Sequence, residues 1–246
     1  MRCQWAQLSP WPNCQSLANA TLGYARHSRL RSRVIAINTS PLMVEKLALP
    51  GPAGSLEALL ETPARGSNPG IAVVCHPHPL YGGNMSNKVV HTLARGCNEL
   101  GMGALRFNYR GVGGSAGAYD QGAGETDDAL AVLDWVSVRW SGVPLFLAGF
   151  SFGGAVAIRA AARREVQRLV SVAPAIERIT VSDPLPRCPW LLIQGTEDEV
   201  IDAAATQRWV TALPHPPQLV MLEGVSHFFH GHLTRLKDVV VRWLQE

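Results

Sequence analysis

The sequence predicts an α/β domain: a mostly parallel central sheet of about eight strands with helices on both faces. Three observations predict it. From Gly70 onward, short apolar runs bounded by Gly or Pro alternate with helix-length segments, the pattern of βαβ units whose strands are buried on both sides. The chain has 246 residues, 47% of them hydrophobic, which suits one large core. Its longest apolar runs, such as Ile71–Cys75, fall far short of the ~18 residues that span a bilayer, so no membrane partner is expected.

Residues 1–42 stand apart. They hold five arginines (Arg2, Arg26, Arg29, Arg31, Arg33), no acid, and Pro10, Pro12 and Pro41. Taking those five from the 22 basic residues leaves 17 against 19 acids in residues 43–246, a net of −2, although the whole chain is formally +3. The basic excess therefore lies in the first sixth of the chain, and the body offers no stripe for nucleic acid. The best apolar stretch here, Val34–Ile37, is too short for a secretory signal, which needs ~7–15 apolar residues. The segment is expected to be disordered or an over-long start, with Met43 as the true first residue. Its composition also resembles an organellar transit peptide.

The folded domain is expected over 43–246. It opens with a hairpin: Val44–Leu49 alternates, a Pro-Gly turn follows, and Ser55–Thr62 pairs back. Strands are predicted at Ile71–Cys75, Ala104–Asn108, Val143–Ala148, Leu169–Ala173, Trp190–Gln194 and Gln218–Leu222. Helices are predicted near Asn87–Leu100, Thr126–Trp140, Gly153–Arg164, Ala203–Leu213 and Thr234–Leu244. Right-handed crossovers would put functional side chains at the carboxyl ends of the strands. Five scattered cysteines (Cys3, Cys14, Cys75, Cys97, Cys188) make no metal-type pair and leave an odd thiol, which favours a reducing compartment such as the cytoplasm.

The chemistry starts at Gly149-Phe150-Ser151-Phe152-Gly153, a G-x-S-x-G between a buried strand and a small-residue helix. A nucleophile at the apex of so tight a turn sits in strained backbone, so the flanking positions must lack bulk. The following helix aims N–H groups at any oxyanion formed there. The alternative, a dinucleotide loop, would need G-x-G-x-x-G, which is missing. A serine hydroxyl needs a base, and the base an orienting carboxylate. Asp198, in the loop after Trp190–Gln194, is the preferred acid over Glu197, Glu199 and Asp202, which are read as solvated surface charges. His227, first in the loop after Gln218–Leu222, is the preferred base. His230 and His232 could chelate a metal, but no Cys or carboxylate set completes a site, so neither metal nor cofactor is expected.

The segments GFSFGG, QGTEDEVID and GVSHFF resemble the nucleophile, acid and histidine motifs of the α/β-hydrolase superfamily, in its order Ser, Asp, His. CHPHPLYGGNMSNK and FNYRGVGGS are similar to stretches of small bacterial hydrolases related to dienelactone hydrolases. The resemblance spans about residues 44–246 and implies a serine hydrolase with the triad Ser151, Asp198 and His227. Dienelactone hydrolases use cysteine where this chain has Ser151, so dienelactone specificity is not implied.

Of the two oxyanion N–H donors, one is expected from Phe152. The other should come from the loop after Ile71–Cys75, where Pro77 and Pro79 cannot donate. By analogy with a His-Gly-x pattern, His78 is the donor, while the side chains of His76 and His78 shape the loop. Arg110–Ser115 is read as a strand-to-helix loop beside the site, and Glu125, Asp127 and Asp128 as the acidic first turn of the next helix. Only Pro174–Pro189 separates the fifth predicted strand from the one before it, too little for a lid, so the site should be open. The expected activity is hydrolysis of small acyl esters. A thioesterase, peptidase or acyltransferase with the same triad is the enzymic alternative, and a non-catalytic binding protein the other. Haloalkane or epoxide chemistry would call for Asp at the position of Ser151.

Overall fold

A computed structural model describes residues 40–64, 69–181 and 184–246. Apart from residues 40–42, the expectations for the first 42 residues lie outside the described part. The strands are β1 (Leu42–Gly51), β2 (Gly54–Pro63), β3 (Ile71–Cys75), β4 (Gly103–Phe107), β5 (Leu145–Phe150), β6 (Arg168–Val172), β7 (Trp190–Gly195) and β8 (Gln218–Leu222). They form one eight-stranded sheet in the order β1-β2-β4-β3-β5-β6-β7-β8. Pairing is antiparallel for β1 with β2 and β2 with β4, and parallel from β4 to β8.

The helices are α1 (Lys88–Glu99), α2 (Ala123–Arg139), α3 (Phe152–Ala161), α4 (Ala203–Ala212) and α5 (Leu233–Leu244). Two buried clusters lie on opposite faces of the sheet. One joins α1 and α5, through Val90, Leu93, Leu236 and Val240, to Val74, Phe150 and Ile193. The other joins α2 and α3, through Val132, Leu133, Val156 and Ile158, to Val73, Leu105 and Leu147. Alternate residues of one strand, Val73 and Val74, thus serve opposite layers, which is why the central strands read as unbroken apolar runs.

Several boundaries differ from the sequence reading by one to three residues, and two have a physical cause. The predicted Pro-Gly turn, Pro50-Gly51, is the end of β1; the reversal falls at Pro52 and Ala53, beside Gly54 at φ +118°, which glycine tolerates. Helix α2 starts at Ala123, three residues before the predicted Thr126. The cause is Glu125, whose carboxylate accepts the Gly122 and Asp120 N–H groups at 2.7 and 2.8 Å and so caps an earlier first turn. Asp127 and Asp128 lie past that first turn, and Asp128 is fully buried, holding Arg110 through both carboxylate oxygens and pinning the loop after β4 to α2.

Candidate active site

Strand β5 runs directly into Ser151, and α3 begins at the next residue. Ser151 has φ 55° and ψ −117°, a conformation costly for a residue with a Cβ. The flanking glycines make it reachable. A Cβ on Gly149 would overlap the Gly153 carbonyl, and one on Gly153 would overlap the carbonyls of Cys75 and His76. Hydrogen bonds then fix the apex: Ser151 N–H donates to Val172 at 2.8 Å, and its carbonyl accepts from Gly154 and Ala175 at 2.9 and 3.0 Å.

The structure brings the three predicted side chains together. His227 Nε2 lies 3.1 Å from Ser151 Oγ, and His227 Nδ1 lies 2.8 Å from Asp198 Oδ2. Ser151 and His227 are both nearly buried. Asp198 is held from every side. Its Oδ1 accepts the Val200 and Ile201 N–H groups at 2.9 and 2.7 Å, and Oδ2 also accepts Gln194 Nε2 at 2.8 Å. Burial pushes the Asp198 carboxyl up, but the hydrogen bonds from His227 and the two amides outweigh it and hold the group below the usual carboxylate range. An ionised Asp198 accepts from Nδ1–H, which leaves Nε2 free to accept from the serine hydroxyl.

Two residues here escaped the sequence reading. Gln194 is fully buried at the end of β7, and the signal was present: one amide closing an apolar strand four residues before the acid. Glu199 is exposed, as expected of a solvated charge, and its role at the site is the part missed: its carboxylate accepts the His227 backbone N–H at 3.0 Å, tying the acid loop to the histidine loop. Thr196 reinforces that tie by accepting the Gly224 N–H at 3.0 Å. His230 stacks on Phe228, and His232 precedes α5 without a side-chain capping bond. Among the described residues no group of three His, Cys, Asp or Glu side chains gathers as a metal ion would require.

The loop after β3 has one further constraint. The His76 ring is fully buried; Nδ1–H donates to the Pro77 carbonyl at 2.6 Å and Nε2 accepts the Tyr109 N–H at 3.1 Å. Burial lowers its pKa to about 4, so it is neutral at pH 7, in one tautomer. In a trans peptide the C=O and N–H point in opposite directions. By holding the Pro77 carbonyl, His76 therefore turns the His78 N–H the other way. His78 packs its ring on Phe152, centroids 4.8 Å apart, which brings the two expected donor residues side by side. The Phe152 N–H, first in α3, has no carbonyl of its own helix to bond.

Comparison with known proteins agrees with this fold. The family described as serine aminopeptidase, S33 matches residues 69–188. A lidless α/β serine hydrolase from Xanthomonas campestris has a solved structure that is 42% identical, covering 84% of this chain and 97% of its own, with a TM-score of 0.78. The chain belongs to the α/β serine hydrolases. An α/β serine hydrolase homologue from Coxiella burnetii is likewise 42% identical, over 81% of this chain and 97% of its own, with a TM-score of 0.77. A mitochondrial palmitoyl-protein thioesterase of Rattus norvegicus is 27% identical over 70% of this chain and 58% of its own. As in the lidless relative, no cap is built on the sheet: between β6 and β7 the described residues form only turns and extended chain. No helix among them is long and apolar enough to cross a membrane.

Proposed function

We propose that this hydrolase is a carboxylesterase acting on small acyl esters through an acyl-enzyme on Ser151. The observation that carries the reading is the hydrogen-bonded line from Ser151 Oγ through both nitrogens of His227 to Asp198, at 3.1 and 2.8 Å. The serine hydroxyl gives its proton to His227 Nε2 as Oγ attacks the ester carbonyl. Asp198 keeps Nδ1 protonated and stabilises the imidazolium. The Phe152 and His78 N–H groups receive the negative charge that develops on the carbonyl oxygen. Imidazolium then protonates the departing alcohol, and a water activated by His227 releases the acid. Small substrates are favoured because the mouth is uncovered and closes over nothing.

A fluorophosphonate probe should label Ser151, and a p-nitrophenyl ester series should show turnover falling as the acyl chain lengthens. Turnover that rises steeply toward long chains would overturn the preference for small esters. A thioester reading is favoured by the similarity to the thioesterase relative. Matched acetyl oxyesters and thioesters separate the two, because greater kcat/KM on the thioester would reassign the leaving group.

A further inference from the structure

Further along α3 from Ser151 is a pocket of about 390 Å³ lined by Arg159, Arg163 and Arg178 with Gln121 and Thr180. The pocket joins the site through Arg178. Ala175, whose N–H donates to the Ser151 carbonyl at 3.0 Å, also accepts the Arg178 N–H at 3.1 Å, so a single turn of chain links them. The Arg178 charge reaches His78: burial first, and then Arg178, disfavour protonation of that imidazole. Arg159 lies seven residues along α3 from Phe152, which at 1.5 Å per residue places it roughly 10 Å from the nucleophile end.

Of the three guanidinium groups, only that of Arg163 has a carboxylate partner among the described residues. Asp127 is an exposed partner of Arg163 at 3.6 Å. Glu125 is turned to the N–H groups of Asp120 and Gly122. Among the described residues Arg159 and Arg178 close no ion pair, and burial and Arg163 together weigh against the charged form of Arg159 more than Asp127 and Glu125 favour it. Gln121, on the wall, has φ 50°, a strained backbone of the kind that clusters at ligand sites. Like charges gathered in this way are relieved by an oxyanion, and planar guanidinium groups suit phosphate or carboxylate oxygens in pairs.

We propose that this pocket is an anion subsite of the active site, receiving a phosphate or carboxylate group that the substrate carries away from its scissile carbonyl. The proposal rests on the esterase reading above and adds the substrate class: anionic esters. Two series of substrates test it and locate the charge. Half-esters of p-nitrophenol with dicarboxylic acids from succinate to sebacate, against monocarboxylic esters of equal length, place a carboxylate on the acyl side. Acetyl esters of glycerol phosphate, against acetylglycerol, place a phosphate on the alcohol side.

In at least one series kcat/KM for the anionic ester should exceed its neutral match by about ten-fold or more, mostly through KM, with the advantage shrinking as salt rises. In the R159Q/R178Q double variant that ratio should fall close to one. Equal kcat/KM for anionic and neutral esters in the wild-type protein, or a ratio untouched by the double substitution, would overturn the subsite. Calorimetry with inorganic pyrophosphate decides it independently of turnover. Binding that is lost in the double variant supports the pocket, and absent or unchanged binding overturns it. Were no ester turned over while pyrophosphate binding still depended on the two arginines, the esterase reading would fail and the anion site would stand.

Discussion

The two halves of the proposed triad are built by different physics. The nucleophile elbow is shaped by exclusion: Gly149 and Gly153 are required because any Cβ would enter a backbone carbonyl, and Ser151 is left in a strained conformation as a result. The acid–histidine arm is shaped by attraction. Asp198 accepts four hydrogen bonds, from Val200, Ile201, Gln194 and His227, and Glu199 and Thr196 bind one loop to the other. Exclusion is unforgiving, since a single methyl group breaks it. Attraction is distributed, so removing one partner should weaken the arm in steps.

The largest expected effect tests the point where the halves meet. Ser151→Ala should lower kcat by about 10⁴-fold or more and abolish fluorophosphonate labelling. Its melting temperature should stay within a few degrees, because alanine keeps the same backbone. Residual turnover near the wild-type rate would remove Ser151 from the mechanism. Asp198→Asn should follow, with a loss of about 10³- to 10⁴-fold in kcat, since an amide can hold His227 in the wrong tautomer. Acid should act on the same residue. The folded state holds the Asp198 carboxyl below its unfolded value, so its contribution to stability is present above the unfolded pKa and disappears as pH falls through the lower, folded one. In Asp198→Asn that part of the acid-unfolding curve should be gone.

Gly153→Ala probes exclusion alone. Its methyl group meets the Cys75 and His76 carbonyls, backbone that cannot swing aside, so the domain should lose about 3 kcal/mol of stability, read by urea unfolding. A variant as stable as wild type would mean that the elbow is not sterically fixed.

The same contrast explains what the sequence disclosed. The elbow was legible because exclusion dictates residue type at fixed spacing, and Gly149, Ser151 and Gly153 lie within five residues of chain. The alternating strands and helices were legible for a similar reason, since burial on both faces demands unbroken apolar runs such as Ile71–Cys75. The order of Ser151, Asp198 and His227 was readable, but not their supports. Gln194 and Glu199 act across loops that approach only after folding, and a carboxylate beside Asp198 in sequence looks the same whether it faces water or a backbone amide. The burial of Asp128 was hidden in the same way, because its partner Arg110 is eighteen residues away.

His76 combines both modes, being packed in by burial and hydrogen-bonded at both nitrogens. His76→Phe keeps the ring and removes both bonds, freeing the peptide that carries the His78 N–H. The expected result is a fall in kcat of up to about 10²-fold, the scale of one lost oxyanion donor, with KM little changed. A pH series adds a readout. Because the folded pKa of about 4 lies below the ordinary 6.5, the unfolded chain binds a proton in this window that the folded one does not. Wild-type stability should therefore decline on acidification from about 6.5 to about 4, and His76→Phe should flatten that decline. An unchanged slope would show that the imidazole is not buried neutral.

The smallest effect belongs to Glu199, and it separates attraction by charge from attraction by geometry. Glu199→Gln still offers an amide oxygen to the His227 N–H, now at 3.0 Å from the carboxylate, whereas Glu199→Ala offers nothing. If the tie is geometric, Gln should retain nearly full activity and Ala should lose about three- to ten-fold in kcat, the scale of one neutral hydrogen bond. If the negative charge matters for its own sake, by favouring the imidazolium that forms on His227, both variants should fall together. Wild-type activity should then also fall toward theirs at high salt, which screens the charge of this exposed side chain and leaves the hydrogen bond in place.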